Sequence, residues 1–309
     1  MNAPDMSLLD NLNAQSDEYR YLLLDPIKPV APWSPVNVDN LYQTAGREAF
    51  SIVPRHDLAW SPEHCPQLLL LAPPQASCDA MLVQDSEMYS RNEVLHEKRY
   101  ICGWLSSPLP PKEMANWLAE LCTRLTTDSV VPVYEPFRLE LLSMVAEPAL
   151  LASLLAPVNA WHIASVTGRL ITLRGEQQNN GSRLSWRAEQ VLNSIHPIRL
   201  LLSEWEKQCA VLSENAVSLA TDAWITSGES KLHHFSDRFF LALNNLILGV
   251  DMTQHPAIQA LLQQVADTPS LYFTQVIENI DDSVWQALHP AGPLTERSSG
   301  DEYQRTDCP

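Results

Sequence analysis

The spacing of apolar residues changes character near residue 175. Before it, short runs of β-formers alternate with helical stripes; beyond it the 3.6-residue period continues alone. Residues 19–24, 50–53, 67–72, 100–105 and 130–134 read as strands. The run Gln67-Leu-Leu-Leu-Leu-Ala72 is apolar without alternation, the pattern of a strand covered on both faces. Pro132 denies one ladder hydrogen bond to residues 130–134, which places that strand at an edge. Residues 161–166 and 169–173 form a hairpin across Thr167-Gly168. Between the strands, helical patterns fall at residues 6–12, 37–45 and 77–97. Met114, Trp117, Leu118, Leu121 and Leu125 make a fourth stripe after Pro110-Pro111. Pro136 opens a fifth, carried by Phe137, Leu141, Leu142 and Val145 and extended through residues 150–155 to Pro157.

Residues 175–182 are polar and hold two glycines, so the domain junction is set there. Leu184, Ala188, Val191, Leu192 and Ile195 begin the second half, and His196-Pro197 kinks or restarts the helix. Ile198, Leu201, Leu202, Trp205, Cys209 and Leu212 keep the spacing, and residues 215–225 form a further helix. Residues 232–248 are apolar nearly all round, which predicts a central, buried helix. Ile258, Leu261, Leu262 and Val265 follow, then a broken helix over 270–289. The expected fold is an α/β domain over 1–175, a mixed sheet with packed helices, followed by an all-helical lobe over 176–290. A disordered polar tail occupies 291–309.

Charge narrows the partners. The net charge is −17, with 12 basic and 20 acidic residues in 1–175 and 8 and 17 in 176–309. Residues 239–296 carry six carboxylates and no Lys or Arg. Such a surface repels nucleic acid and anionic membranes and attracts a basic protein, or else it only maintains solubility. No apolar run reaches the roughly 18 residues of a membrane span, and the Met-Asn-Ala-Pro-Asp start has no signal-peptide character. The six cysteines lack paired spacing, which predicts free thiols and a cytoplasmic address.

Candidate chemistry is sparse. No two of the nine glycines stand one residue apart, and neither a nucleophile elbow nor a Walker loop is present, so common nucleotide-binding routes are excluded. His234 and Asp237 have ligand spacing on a helix but no second pair to complete a metal site, so no metal or cofactor is expected. Tyr134, Glu135 and Arg138 form a polar cluster at a strand-to-helix turn, either a recognition surface or an ion pair fixing the turn. Trp104, Trp117 and Trp161 fall at core positions; Trp186, Trp205 and Trp224 read as core or as interface anchors.

The segments Ile101-Cys-Gly-Trp-Leu-Ser-Ser-Pro-Leu109, Val133-Tyr-Glu-Pro-Phe-Arg-Leu139 and Leu155-Ala-Pro-Val-Asn-Ala-Trp161 resemble the signature of bacterial type VI secretion effector adaptors, also called effector chaperones. Glu135 stands where Asp is commoner in that family, Phe137 is an extra residue before Arg138, and Ala156 replaces the usual Gly. The resemblance covers roughly residues 19–175 and, more loosely, the helices after them. It implies a non-enzymatic adaptor that binds a cognate secreted effector in the cytoplasm and helps load it onto the secretion spike, whose tip protein is a further partner. Partner-binding candidates are Tyr134, Glu135 and Arg138 at the turn, and Asp251, Asp267 and Asp282 in the cation-free region. An immunity or regulatory binding protein and a hydrolase with dispersed catalytic residues are the alternatives.

Overall fold

The computed structural model describes residues 7–125, 130–176, 184–209 and 211–289. The expected tail and most of the expected 175–182 junction lie outside them, as do Met6 and Cys308. The chain forms two compact units that divide between Leu192 and Asn193, later than the residue 175 boundary taken from composition.

The first unit runs α1 (Leu8–Ala14), β1 (Tyr19–Leu24), α2 (Val38–Ala45), β2 (Phe50–Ile52), β3 (Gln67–Ala72), α3 (Ala80–Arg91), β4 (Ile101–Ser107) and α4 (Pro111–Leu121). It continues with α5 (Pro136–Val145), α6 (Pro148–Leu155), β5 (Ala160–Ala164), β6 (Leu170–Leu173) and α7 (Trp186–Asn193). The six strands make one sheet in the order β2-β3-β1-β4-β5-β6, and every pairing is antiparallel.

Alternation along the strands divides the core. On β1, Tyr21 and Leu23 face Met114, Trp117 and Leu118 of α4 and Leu139 and Leu142 of α5. Leu22 and Leu24 face Leu8 and Leu12 of α1, Leu41 of α2 and Val83 of α3. The sheet is therefore covered on both sides, which is why β1 and β3 read as continuous apolar runs. On β4 the phase is reset. Leu23 pairs with Gly103 and Leu24 with Ile101, so a bulge sits there and Ile101 and Trp104 share one face, three residues apart. Gly103 takes φ +129°, and a Cβ on it would lie 2.6 Å from both the His162 carbonyl oxygen and Trp161 Nε1. Glycine is the residue this bulge tolerates.

Local chemistry sets the helix ends. Asn37 Oδ1 accepts from the Asp39 N–H at 2.9 Å, and Asp79 Oδ1 accepts from the Leu82 N–H at 2.9 Å. Proline occupies the first turn of α4, α5 and α6. The helix expected over 77–97 stops at Arg91, because the chain turns to bring Glu93 inward. Its Oε2 accepts from the Tyr100 and Ile101 N–H groups at 2.9 and 3.2 Å. Residues 130–134 form no strand. Pro132 cannot donate, and the neighbouring donors go elsewhere: Val131 N–H to Cys122 O at 2.8 Å, Glu135 N–H to Pro132 O at 3.1 Å. That turn drops Val133 and Tyr134 into the core.

The second unit is helical: α8 (Ile195–Glu206), α9 (Ala216–Glu229), α10 (Phe235–Leu248), α11 (Pro256–Asp267), α12 (Phe273–Val276) and α13 (Asp282–Leu288). Leu241, Ile258, Val265, Phe273 and Ile277 form its core. α10 buries one face only, correcting the expectation of an all-round buried helix; Phe235 and Ile247 are exposed. Asp237 takes an interior position instead, because its carboxylate caps α12, accepting from the Phe273 and Thr274 N–H groups at 2.8 and 3.1 Å.

Cys65, Cys78, Cys102 and Cys122 are free and buried. Cys209 is disulfide-bonded, so the expectation of free thiols throughout fails at that position.

Candidate functional site

Tyr134, Glu135 and Arg138 share the turn that leads into α5, but Tyr134 is only 1 % exposed. Its hydroxyl accepts from Arg55 Nη1 and donates to Asp25 Oδ2 at 3.5 Å. Arg55 also forks onto Asp57, Nε to Oδ1 at 3.1 Å and Nη2 to Oδ2 at 2.5 Å. The polar chain Asp57–Arg55–Tyr134–Asp25 thus joins the loop after β1, the loop after β2 and the turn before α5. Burial pushes the Asp25 carboxyl up, against the Ile27 N–H and the charges of Lys98 and Arg55. Burial, reinforced by the Asp25 charge, also raises the Tyr134 phenol. It is a locked hydrogen-bonding group that fixes the turn. Glu135 and Arg138 are half-buried beside it.

A second buried network escaped the sequence reading. Arg99, 2 % exposed, donates to the carbonyl oxygens of Ala164, at 2.6 Å, and Val94. Its charge faces Glu140, Glu135 and Glu93. Glu93 also pairs with Lys28 Nζ at 2.8 Å. Glu140 Oε2 accepts from the Val166 N–H at 3.0 Å, and burial pushes this carboxyl up to about 7 against the pull of Arg99. The signal was Glu140 itself, one carboxylate inside the apolar run Leu139-Glu-Leu-Leu142.

The three acidic candidates of the second unit sit on separate elements. Asp251 follows α10 and accepts from Thr253 N–H at 3.0 Å, Thr253 Oγ1 at 2.6 Å and Gln254 Nε2 at 2.9 Å. Burial alone would raise its carboxyl; these hydrogen bonds outweigh that and hold it below the ordinary carboxylate range. Asp267 ends α11 and is exposed, accepting from Gln263 Nε2 at 3.0 Å. Asp282 lies exposed in the first turn of α13. Asp251 lines a cleft, of about 430 Å3, between α9 and the C-terminal end of α10.

Tryptophans sort by context. Trp104, Trp117 and Trp161 are core, and their indole N–H groups donate to Ser86 Oγ, Ala156 O and Cys102 O at 2.9, 2.9 and 3.3 Å. Trp205 and Trp224 are buried, whereas Trp186 is 74 % exposed. Trp33 and Trp60, not singled out from the sequence, are 85 % and 98 % exposed. Hydrogen-bonded turns hold both outward. Asn40 Nδ2 donates to Pro32 O and Ser34 O, each at 2.8 Å, pinning the residues either side of Trp33. Ser61 N–H donates to Leu58 O at 2.9 Å across Trp60. The sequence signal was a tryptophan outside any apolar period, in Pro32-Trp-Ser-Pro35 and in Ala59-Trp-Ser-Pro62.

Among the described residues, no group of three or more His, Cys, Asp or Glu side chains is placed to hold a metal ion. Among the same residues, no helix is long and apolar enough to cross a membrane. Compared with protein-family models, curated proteins and solved structures, the chain matches none.

Proposed function

We propose that the chain is a non-enzymatic adaptor of the type VI secretion kind, which binds a cognate effector in the bacterial cytoplasm and helps load it onto the secretion spike. The observation that carries this reading is the outward, turn-held presentation of Trp33 and Trp60. A large apolar ring kept in water costs solubility, and one already fixed in place loses little entropy when a partner covers it. Tryptophans of this kind dominate protein interfaces as anchors. The resemblance of residues 101–109, 133–139 and 155–161 to the adaptor signature supplies the partner class. The acidic surface adds a charge preference for a basic partner.

The test is capture of partners from the native cytosol followed by mass spectrometry, with the parent and a Trp33→Ala/Trp60→Ala variant. A secreted toxin should be enriched by the parent. Its dissociation should be at least about 30-fold faster from the variant, the effect of removing a tryptophan anchor. Capture of a toxin with its activity blocked would favour the immunity reading. Equal retention by parent and variant would remove the tryptophans from the interface.

A further inference from the structure

A second cleft of the helical unit, of about 340 Å3, lies between the C-terminal end of α9 and α11. Gln259, Leu262, Gln263 and Ala266 form one wall, spaced i, i+3, i+4, i+7 so that a single face of α11 is presented. Thr226, Glu229 and Ser230 at the end of α9, then Lys231, form the other, and Thr253 joins them from the 3₁₀ turn Met252–Gln254. Leu262 and Ala266 supply the apolar part; the other seven lining residues are polar or charged.

Little of that polarity is satisfied within the chain. Thr253 Oγ1 donates to Asp251 Oδ1 at 2.6 Å, and Gln263 Nε2 donates to Asp267 at 3.0 Å. Among the described residues, Thr226, Glu229, Ser230, Lys231 and Gln259 make no side-chain hydrogen bond or ion pair. Glu229 and Lys231 thus carry opposite charges to one space without pairing, although they stand two residues apart. Lys231 also takes φ +53°, directly beyond the α9 cap Ser230, at the position where glycine is the usual residue. A lysine is strained there. A cation at a helix end ordinarily answers the last carbonyls, but among the described residues the Lys231 ammonium bonds none of them. Strain of this kind gathers at ligand sites.

We infer that this cleft binds a small zwitterion, a free α-amino acid with an amide or hydroxyl side chain. Its carboxylate meets Lys231. Its ammonium meets Glu229 and the partial negative charge at the end of α9. Its side chain meets the Gln259 amide and the Thr226 hydroxyl beside Leu262. A simple anion or a simple cation would leave one of the two charges unanswered, and an apolar ligand would desolvate the polar lining without replacing its hydrogen bonds to water. The volume stands at the lower end of the range for small-molecule sites, which suits a ligand of about ten non-hydrogen atoms. A bound amino acid would bridge α9 and α11 and so stabilise the helical unit by mass action. This site goes beyond the adaptor reading and does not depend on it.

The probes are L-glutamine, L-asparagine, L-serine and L-threonine, each titrated into the full chain by isothermal calorimetry. At least one should bind saturably, one per chain. For that amino acid, N-acetylation, which removes the ammonium, and conversion of the carboxylate to the amide should each weaken binding at least about tenfold, the size of a lost charge-assisted contact. Lys231→Gly should weaken binding as much and yet raise the melting temperature of the free protein, because glycine suits the left-handed position. Loss of binding together with a gain in stability does not come from unfolding. Glu229→Gln should weaken binding at least about tenfold with an unchanged melting curve. Asp282→Asn, outside the cleft, should change affinity less than about twofold. Absence of saturable binding by all four amino acids would overturn the inference, as would binding that survives both Lys231→Gly and Glu229→Gln. Equal loss from Asp282→Asn would overturn it in favour of diffuse electrostatics. Acetate binding as tightly as the amino acid would overturn it in favour of a plain anion site.

Discussion

Glu140 and His162 are buried in the first unit with opposite consequences for acid stability. Burial pushes Glu140 up from 4.5 to about 7, so the folded chain holds this proton more tightly than the unfolded chain does. Its contribution to stability is full below 4.5 and is lost as pH rises through 7, by about 3 kcal/mol. Burial, with the charge of Arg174, lowers His162 from 6.5 to about 4, while Nδ1 stays within 2.8 Å of Thr172 Oγ1. Its neutral form is favoured by folding, so a similar sum is lost as pH falls from 6.5 towards 4. The two slopes offset each other between pH 4.5 and 6.5. Urea unfolding from pH 4 to 8 should therefore separate in variants. Glu140→Gln should gain stability relative to the parent as pH rises to 7, and His162→Asn should lose the parent's weakening at acid pH. Parallel curves for all three proteins would contradict both assignments. Residue chemistry of this kind was half legible. A lone carboxylate in an apolar helix face is visible in sequence, but that Arg99 faces it depends on a sheet crossing that sequence does not reveal. Tyr134 was legible as part of a polar turn; its burial was not, because the partner Arg55 lies 79 residues away.

At the scale of elements, local pattern was enough wherever local physics decides. The capped helix after Asn37, the proline-opened helices after Pro110 and Glu135, and the strands of 19–24 and 67–72 all stand where periodicity put them. Failures came where tertiary contacts outweighed pattern. Residues 130–134 have strand composition, yet Pro132 and the pull of the core on Val133 and Tyr134 make a turn. α10 has an apolar sequence, yet its buried side admits Asp237 because α12 needs a cap. The bulge on β4 gives the sharpest test at this scale. Gly103→Ala would place a methyl group against Trp161 and the His162 backbone and should cost about 3 kcal/mol or more by urea unfolding. Gly168, at φ +75° with nothing within 4 Å of an added methyl group, should cost only about 1 kcal/mol on the same change. Equal costs would mean that backbone conformation alone, not the crowding at Trp161, governs Gly103.

For the whole molecule, composition located a change of architecture but not its boundary. Leu184 and Leu192 pack against the first unit's core, so the segment that reads as the start of the helical lobe completes the sheet domain instead. A fragment of residues 1–192 should be more stable to urea than one of residues 1–175, by about 2 kcal/mol for two partly buried leucines. No difference would detach that segment from the domain. Strand order was not legible at all, since periodicity carries no information about which strands are neighbours. That order has a consequence in time. β1 leaves the ribosome before its partners β3 and β4; Tyr21 waits for Leu105, 84 residues later. At about 5–20 residues per second, that is a delay of roughly 4–17 s. Throughout it an apolar, β-forming segment has no complete sheet to join, the condition under which strands pair with other chains. Arg20 and the Asp25-Pro26 stop stand as gatekeepers at its two ends. Synthesis of this chain therefore includes an interval of exposure that begins when β1 emerges and closes only when β4 has emerged.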